Sequence, residues 1–173
     1  MAPVRLLLIN PAKKSFYRIA PSLGLAYVAA ATPPGWEIEI LDENLGAGDH
    51  ARRTPDLVGI TAITTQANRA YRIAAHYGRR GVPVVMGGMH ASAVPEEAIR
   101  FADAVVVGEA EEIWPRVVRD FESGRLGQTY RAGAPADLGR VVRPRRDLLG
   151  RGYWVDVLQT ARGCPHDCAF CSV

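Results

Sequence analysis

Val4-Arg-Leu-Leu-Leu-Ile9 is a nearly continuous apolar run, and Asn10 and Pro11 end it. Such a run is typical of a strand that is buried on both faces of a parallel sheet. Segments with apolar positions at helical spacing separate it from four further strand patterns. These patterns are Trp36–Leu41, Leu57–Thr61, Pro83–Met86 and Ala104–Val107. Strands that alternate with helices in this way predict an α/β fold with a doubly wound, mainly five-stranded parallel sheet.

The loops that follow the strands are the places where this kind of sheet binds a ligand. The carboxyl ends of parallel strands open onto a crevice, and ligands lie outside those ends. Polar and small residues occupy all five positions: Asn10, Asp42 to Gly46, Thr61 to Gln66, Gly87-Gly88 and Gly108-Glu109. We therefore expect any ligand site of this domain to be built from these loops.

The composition is that of a globular protein with one ordinary α/β domain and a short appendage. Of its 173 residues 48% are apolar and 23% charged, and the net charge of +3 is too small to argue for a nucleic-acid partner. One basic cluster comprises Arg140, Arg143, Arg145, Arg146 and Arg151. We interpret this cluster as a solvated or interdomain surface rather than a site for a polyanion.

Neither a secretory signal nor a membrane span is predicted. The apolar run Leu6–Ile9 is too short for the core of a signal peptide, and Leu23–Ala31 is far shorter than a membrane span. The three cysteines all lie within the last ten residues. This arrangement argues against a secreted disulfide framework and for a metal site in a reducing compartment. We therefore expect a cytoplasmic protein.

The sequence Cys164-Pro-His-Asp-Cys168-Ala-Phe-Cys171 has the spacing C-x-x-x-C-x-x-C and follows a predicted strand, Trp154 to Thr160. Three thiolates on one tight loop can hold three irons of a cubic cluster and leave the fourth iron open. The alternative is a structural zinc site that also uses His166. Such sites usually pair two short hooks from separate places, and the sequence has no second hook. Cys164, Cys168 and Cys171 are therefore predicted to be iron–sulfur ligands.

The strand, the Arg-Gly pair and the cysteine spacing together resemble the start of the radical S-adenosylmethionine (SAM) barrel. The resemblance implies that the cysteines hold a [4Fe-4S] cluster. It also implies that SAM chelates the open iron and is cleaved to a 5′-deoxyadenosyl radical. An electron donor such as flavodoxin or ferredoxin and a small-molecule substrate would follow from it. Because the motif covers only about the last twenty residues, we expect a truncated partial TIM barrel and a chain that is inactive alone.

The residues in front of this motif resemble the cobalamin (B12)-binding domain that precedes such barrels, which has a Rossmann-like or flavodoxin-like fold. The resemblance divides the chain into a cobalamin-binding domain at 1–125, a connector at 126–152 and the start of the radical SAM domain at 153–173. Within the connector the strand and helix patterns dissolve, and a short hairpin is expected around Thr129 to Arg131.

The resemblance to the cobalamin-binding domain rests on the loops after the strands. Asp42-Glu-Asn44-Leu-Gly46 lies where the wider family has D-x-H-x-x-G, Thr61-Ala-Ile63 where it has S-x-L, and Gly87-Gly88 where it has paired glycines. Paired glycines let the backbone approach a buried nucleotide tail closely. The implied cofactor contacts are Asp42, Asn44, Gly46, Thr61, Ile63, Thr64, Thr65, Gln66, Gly87, Gly88, Gly108 and Glu109.

One departure from the family pattern concerns the lower ligand of cobalt. Asn44 stands where the wider family has the histidine that ligates cobalt from below. Asparagine is a poor cobalt ligand, so we predict base-off cobalamin without histidine ligation, as the radical branch of the family also implies. Weak lower ligation would favour cobalt(I) and ease methyl loss.

Three further residues are candidates for cofactor contact: His90 after the paired glycines, and Asn10 and Tyr17 in the first loop. For each, the alternative is an ordinary surface loop residue. His50 and His76 are interpreted as surface residues.

The sequence Gly46-Ala-Gly48-Asp-His-Ala51 fits the dinucleotide fingerprint G-x-G-x-x-A. It follows the second strand rather than the first, no helix convincingly opens on it, and the acidic residue expected about twenty positions later is absent. A nicotinamide site is therefore the weaker interpretation.

Together these resemblances predict the cobalamin-binding part of a B12-dependent radical SAM enzyme. The complete protein would be a methyltransferase acting on an unactivated carbon or phosphorus centre, and no catalytic residue is assigned in this chain. Two alternatives remain open. The front domain can be a structural or partner-binding unit without cobalamin, or the chain can be a non-enzymatic zinc or redox module.

Overall fold

A computed structural model describes residues 3–13, 18–46, 48–133, 139, 142–166 and 168–169. Its core is a six-stranded parallel sheet with the strand order β2-β1-β3-β4-β5-β6. The strands are β1 (Val4–Asn10), β2 (Trp36–Asp42), β3 (Leu57–Thr61), β4 (Val84–Gly87), β5 (Ala104–Val107) and β6 (Thr129–Arg131). The predicted doubly wound α/β fold is confirmed, with one strand more than the five predicted.

The apolar run in β1 is buried because helices cover both faces of the sheet. Leu6 and Leu8 point to one face and pack with α1 (Leu23–Ala31) and α5 (Trp114–Glu122). The intervening Leu7 and Ile9 point to the opposite face. Full burial of each such side chain stabilises the fold by roughly 1.5–3 kcal/mol.

The second face of the sheet is covered by the three helices that lie between β3 and β5. They are α2 (Ala67–Gly78), α3 (Met89–Ala93) and α4 (Pro95–Ala98). Short 3₁₀ turns occur at Thr64–Gln66 and Arg146–Leu148. No helix in the described part of the chain is both long and apolar enough to cross a membrane.

The segment around Thr129 to Arg131 is a strand of the main sheet, so the predicted hairpin is wrong. β6 pairs in parallel with β5, with Tyr130 opposite Val106. Tyr130 is buried, and its hydroxyl donates to the Asp120 carboxylate at 2.9 Å and accepts from the Gly127 N–H at 2.8 Å. These bonds fix β6 against the end of α5. The sheet therefore extends beyond residue 125.

The predicted strand at Trp154 to Thr160 is also wrong: these residues belong to no sheet, and the chain bends at Trp154 and Val155. A strand needs a neighbour to satisfy its backbone groups, and no described strand lies beside this one. Instead, the N–H groups of Trp154 and Val155 donate to the carbonyls of Arg18 and Ile19 at 2.8 and 2.9 Å. Residues 153–162, here called the strap, therefore run across the domain without regular secondary structure.

Candidate functional site

The strand order creates a crevice between the carboxyl ends of β1 and β3. These strands are neighbours, yet the helix after β1 packs on one face of the sheet and the helix after β3 on the other. Loops therefore diverge at this point, which is where ligands of open α/β sheets bind. Asn10 ends β1 and Thr61 ends β3, so both predicted site residues lie at the crevice.

Four of the predicted site residues form one hydrogen-bonded cluster at the crevice. The Asn10 amide donates to the Asp42 carboxylate at 2.9 Å, and the Gln66 amide donates to the Asn10 side-chain oxygen at 2.9 Å. Asn44 donates to the other oxygen of Asp42 at 2.7 Å. Tyr153 of the strap, which sequence reasoning missed, donates to Asp42 at 2.8 Å. The cluster joins the loops after the first three strands.

The side chain of Asn44 is directed into the protein. It is only 7% exposed. Besides its bond to Asp42, its amide donates to the Pro11 carbonyl at 3.3 Å, and its oxygen accepts from the Lys13 N–H at 3.1 Å. Both polar atoms of Asn44 are therefore used to hold the loop after β1 against the loop after β2.

Glu43 also joins several loops of this region by hydrogen bonds, and it was not predicted from the sequence. Its buried carboxylate accepts from the Ala12 N–H at 2.9 Å, from Arg69 at 2.9 Å and from His50 at 2.8 Å. Burial raises the pKa of Glu43, but the hydrogen bonds from Arg69, His50 and Ala12 outweigh it and lower the pKa to about 2. Glu43 is thus an anion that fixes the loops after β1 and β2.

The interpretation of His50 as a surface residue is wrong, because its side chain is only 11% exposed. One ring nitrogen bonds to Glu43, and the other lies 3.0 Å from the Tyr77 hydroxyl. Burial raises the pKa of Tyr77 to about 12. Tyr77 therefore keeps its proton and shares a hydrogen bond with Nδ1 of His50. Because the Glu43 carboxylate can only accept, Nε2 of His50 donates to it.

The loop after β3 presents Thr64 and Thr65 to solvent, whereas Ile63 is half-buried. Below Thr64 lies His90, whose Nδ1 is 3.4 Å from the threonine hydroxyl. Nε2 of His90 lies 2.8 Å from the Tyr71 hydroxyl, which donates to Glu97 at 2.8 Å. His90 is only 7% exposed, so the alternative of a surface loop histidine is wrong.

A large cleft of about 1120 Å³ opens on the sheet face that carries α1 and α5. Its floor includes alternate positions of β3 and β4, among them Gly59, Thr61 and Gly87. Because side chains alternate between the two faces of a strand, the missing side chain of Gly87 leaves space on the cleft side. At Gly59 the Leu8 side chain takes that space, and its Cδ2 atom would lie 2.7 Å from a Cβ atom. The predicted contacts Gly88, Gly108 and Glu109 also line the cleft. Ser92, which was not predicted, lines it too and accepts a bond from the Gly108 N–H at 2.9 Å.

The paired glycines have different roles. Gly88 has φ +89, and a Cβ atom there would lie 2.6 Å from the Thr61 hydroxyl oxygen and 2.9 Å from the Ala62 nitrogen. Only glycine fits that backbone. A Cβ atom on Gly87 would meet nothing closer than 3.8 Å, at Val106. Gly88 is therefore required by the fold, whereas Gly87 leaves room for a ligand.

The rim of the cleft holds Arg162, which lies in the strap. It donates to Glu111 at 2.7 Å, approaches Glu109 at 3.5 Å and lies 4.7 Å from the centre of the Tyr27 ring. Burial opposes the charged form, but the bond to Glu111 and the two carboxylates raise the pKa of Arg162. The acidic spacing Glu109-Ala-Glu111, two residues apart, was the available sequence indication of a cation here.

The cysteine loop is described only in part. Cys164 and Cys168 are exposed free thiols, so both sulfur atoms are available as ligands. His166 is exposed as well, and Gly46 lies in an exposed turn. Cys171 and Tyr17, both predicted site residues, lie outside the described residues. Within the described ranges no group of three or more His, Cys, Asp or Glu residues is arranged to hold a metal ion.

The dinucleotide interpretation of Gly46 to Ala51 has no support in the fold. The described residues 48–56 contain no helix, so no helix N-terminus is available there to bind a pyrophosphate.

Comparison with known proteins shows the family of this chain. Residues 10–118 match the family model of the B12 binding domain. The chain is 36% identical over 157 residues to bacteriochlorophyllide d C-8(2)-methyltransferase of Chlorobaculum tepidum, covering 86% of this chain and 35% of that protein. It is 33% identical to an uncharacterized methyltransferase of Pyrococcus horikoshii, covering 96% of this chain and 44% of that protein.

A third relative is named as a cyclase rather than as a methyltransferase. The chain is 31% identical to the anaerobic magnesium-protoporphyrin IX monomethyl ester cyclase of Rubrivivax gelatinosus, covering 68% of this chain and 27% of that protein. The chain thus spans less than half the length of each of these three relatives. The matched residues include β2 to β5, the crevice residues Asn10, Asp42, Asn44 and Gln66, and the cleft glycines Gly59, Gly87 and Gly88, and by this match the chain belongs to the B12-binding domain family.

Proposed function

We propose that this chain binds cobalamin over the carboxyl ends of its sheet, with the nucleotide tail of the cofactor in the cleft. The observation that carries the proposal is the cleft floor, where Gly87 has no side chain and a cleft of about 1120 Å³ lies open between the sheet and the helices α1 and α5. A mostly apolar cleft with a few polar groups suits a planar base with a polar linker. The hydroxyls of Thr61 and Ser92 supply such groups.

The loop Thr61 to Gln66 would lie beneath the corrin ring in this arrangement. Thr64 and Thr65 are exposed there and offer hydroxyl groups to the corrin amides. Gln66 holds the base of the loop, because its side chain accepts from the Ile63 N–H at 3.1 Å and donates to Asn10. The chain's own contribution is thus a preformed platform rather than a ligand to cobalt.

We infer that the bound cofactor would be base-off and without a histidine ligand. Asn44 occupies the position of the family's ligating histidine, and both of its polar atoms are used by Asp42, Pro11 and Lys13. His90 is buried against Tyr71 and Glu97 rather than presented to the cleft. Among the described histidines, none lines the cleft.

For the cysteine loop we propose that Cys164, Cys168 and Cys171 hold a [4Fe-4S] cluster with SAM on its open iron. The two described thiols fit this role because they are exposed and four residues apart on one loop. When bound, the cluster supplies the electron that cleaves SAM, and cobalamin supplies a methyl group. Free thiols stay reduced in a compartment such as the cytoplasm, where a flavodoxin or ferredoxin would be the electron donor.

The whole protein would then be a B12-dependent radical SAM methyltransferase acting on a small molecule at an unactivated carbon or phosphorus centre. The names of the Chlorobaculum and Pyrococcus relatives support methyl transfer. The cyclase relative favours one alternative reaction, the closure of a ring on the same scaffold.

Cobalamin binding can be tested by titrating hydroxocobalamin into the chain and following its visible absorption bands. We expect a saturable shift and retention of the cofactor through gel filtration. Absence of both would favour a structural front domain. Electron paramagnetic resonance of the cob(II)alamin complex should show no nitrogen splitting from a histidine, and such splitting would overturn the base-off assignment. Anaerobic reconstitution should yield iron and sulfide, and zinc without iron would contradict the cluster.

A further inference from the structure

We propose that Arg162, Glu109 and Glu111 form a latch that closes the strap over the cleft and so makes one wall of the cofactor-tail site. The inference deepens the proposed function and rests on it. It assigns to Arg162 the role of a positioning residue.

The contacts of Arg162 differ from those of the surface arginines around it. Its side chain is 10% exposed, compared with 46% for Arg145 and 35% for Arg146. Two of its nitrogens contact separate carboxylates, and its guanidinium group lies over the Tyr27 ring. Exposed ion pairs contribute little to stability, whereas a shielded guanidinium with two carboxylates and an aromatic face is held in one orientation.

The partners of Arg162 come from two separate elements on the helix side of the cleft. Tyr27 lies on α1, and the two glutamates lie on the loop between β5 and α5. These helices form the side of the cleft opposite the sheet. Arg162 therefore joins α1 to the loop before α5 at the point where the strap crosses between them.

The strap is fixed at its other end as well. The Tyr153 hydroxyl bonds to Asp42, and the backbone of Trp154 and Val155 bonds to residues 18–19. Between these anchors and Arg162, the residues Val157 to Ala161 line the cleft. Because both ends are held, this segment is a wall of the cleft. Loss of the Arg162 end would leave it attached at one end only.

The latch also limits where the cysteine loop can go. Arg162 is separated from Cys164 only by Gly163. Two residues of extended chain span at most about 7 Å. The first sulfur ligand is therefore tied to the rim of the cleft. One side chain thus affects both the enclosure of the cofactor tail and the position of the cluster loop.

The test compares the 173-residue chain with the variants Arg162→Gln, Glu111→Gln and the double variant. Hydroxocobalamin affinity is measured by absorption titration. The strap is probed by chymotrypsin, whose sites at Trp154 and Leu158 are unchanged in every variant. We expect each single variant to raise the Kd roughly tenfold, as loss of a charge-assisted bond predicts, and to be cut faster at Leu158. The double variant should be no worse than either single one.

Two further variants test whether the effect is specific to the contacts of Arg162. Arg162→Lys keeps the charge but can reach one carboxylate only, so its Kd should lie between wild type and Arg162→Gln. Arg52→Gln removes an equal charge from an arginine that is 89% exposed, and it should match wild type in both assays. Circular dichroism establishes that each variant is folded. If Arg162→Gln does not fold, Arg162→Lys and Glu109→Gln carry the test.

Equal affinity and equal digestion of wild type and Arg162→Gln would overturn the latch. Additive losses in the double variant would also overturn it, because they would show that Arg162 and Glu111 act separately. A wild-type chain that binds no hydroxocobalamin would instead overturn the proposed function. In that case the digestion pattern alone decides whether Arg162 holds the strap.

Discussion

The amide of Asn44 donates to the carboxylate of Asp42 at 2.7 Å, and the same carboxylate oxygen accepts the backbone N–H of Asn44 at 2.8 Å. This tight turn at the end of β2 fixes the side chain of Asn44. The turn is therefore a structural element of this domain. A residue that holds two loops together cannot also be free to move toward a metal.

Replacing Asn44 by alanine should destabilise the fold, because it removes three side-chain hydrogen bonds from a buried position. Leaving the Lys13 N–H and the Asp42 carboxylate without these partners should lower the free energy of unfolding by about 1–3 kcal/mol. Urea unfolding followed by circular dichroism measures the change. Asn68→Ala, at an exposed position of α2, is the matched control and should be neutral or slightly stabilising. Equal stability of both variants would contradict this role.

Glu43 should make the stability of the domain depend on pH in the acid range. Its pKa of about 2 in the fold lies below the ordinary value of 4.5. A lowered pKa stabilises the fold above the unfolded value, and that stabilisation is lost as the pH falls from about 4.5 to about 2. The loss should be roughly 1–3 kcal/mol, since solvent screens the half-exposed Arg69 partner.

Unfolding of wild type and Glu43→Gln in urea at pH 7 and at pH 3 measures this effect. The difference between them should be largest at pH 7 and smaller at pH 3, where the unfolded chain already carries the proton. Glu37→Gln, at an exposed position of β2, should not alter the pH profile. If the difference in the free energy of unfolding between wild type and Glu43→Gln does not change with pH, the shape of the side chain rather than its charge matters at this position.

The five predicted strands could be recognised because each ends at polar or small residues. β1, β3, β4 and β5 are short, mainly apolar runs, whereas β2 at the edge of the sheet alternates apolar and acidic residues. β6 could not be recognised, because Thr129-Tyr-Arg131 has one large apolar residue, and its position depends on the bond from Tyr130 to Asp120. The prediction failed in the opposite way for Trp154 to Thr160, which was predicted to be a strand and is not one. Its alternating pattern is that of a strand, but a pattern does not supply the neighbour with which a strand must pair.

The part of the site that the strand topology determines could be predicted from the sequence. Loops after parallel strands converge whatever their sequence, so Asn10, Asp42 and Gln66 were expected to meet. Glu43 and Arg162 were not predicted because their roles depend on partners that are far away in the sequence. Arg69 lies 26 residues from Glu43, and Glu111 lies 51 residues from Arg162. The Glu109-Ala-Glu111 spacing indicates a cation, but no local pattern in a single sequence identifies a partner at such a separation.

His90 should carry its proton on Nε2. Burial and the bond to Glu97 raise the pKa of Tyr71, so its hydroxyl stays protonated and donates to Glu97. The same oxygen must then accept from Nε2–H of His90, and Nδ1 accepts from Thr64. Nitrogen-15 shifts of His90 identify the tautomer, and an Nδ1–H form would contradict this order of donors. Tyr71→Phe keeps the ring stacked 4.0 Å from Phe101 but should lower stability by about 1–2 kcal/mol.

Substitutions at Gly87 and Gly88 should affect different properties. A substitution at Gly87 should weaken cofactor binding, and one at Gly88 should destabilise the fold. Gly87→Val adds a side chain on the cleft side of β4, where the nearest atoms of Val106 are 3.8 Å from a Cβ atom. A valine in a strand costs the fold little, but it fills space that the cofactor tail needs. We expect unchanged or higher stability in urea and a hydroxocobalamin Kd at least tenfold higher, since the clash costs the complex more than about 1.4 kcal/mol.

Gly88→Ala, one residue away, should behave in the opposite way. Its Cβ atom would lie 2.6 Å from the Thr61 hydroxyl oxygen at a backbone φ of +89, so the substitution strains β4 and the loop after β3. We expect stability to fall by about 1–3 kcal/mol. Any loss of affinity should then follow the loss of folded protein. If Gly87→Val instead bound hydroxocobalamin as tightly as wild type, the cofactor tail would not lie between the sheet and α5. The cleft would then have to be assigned to another ligand.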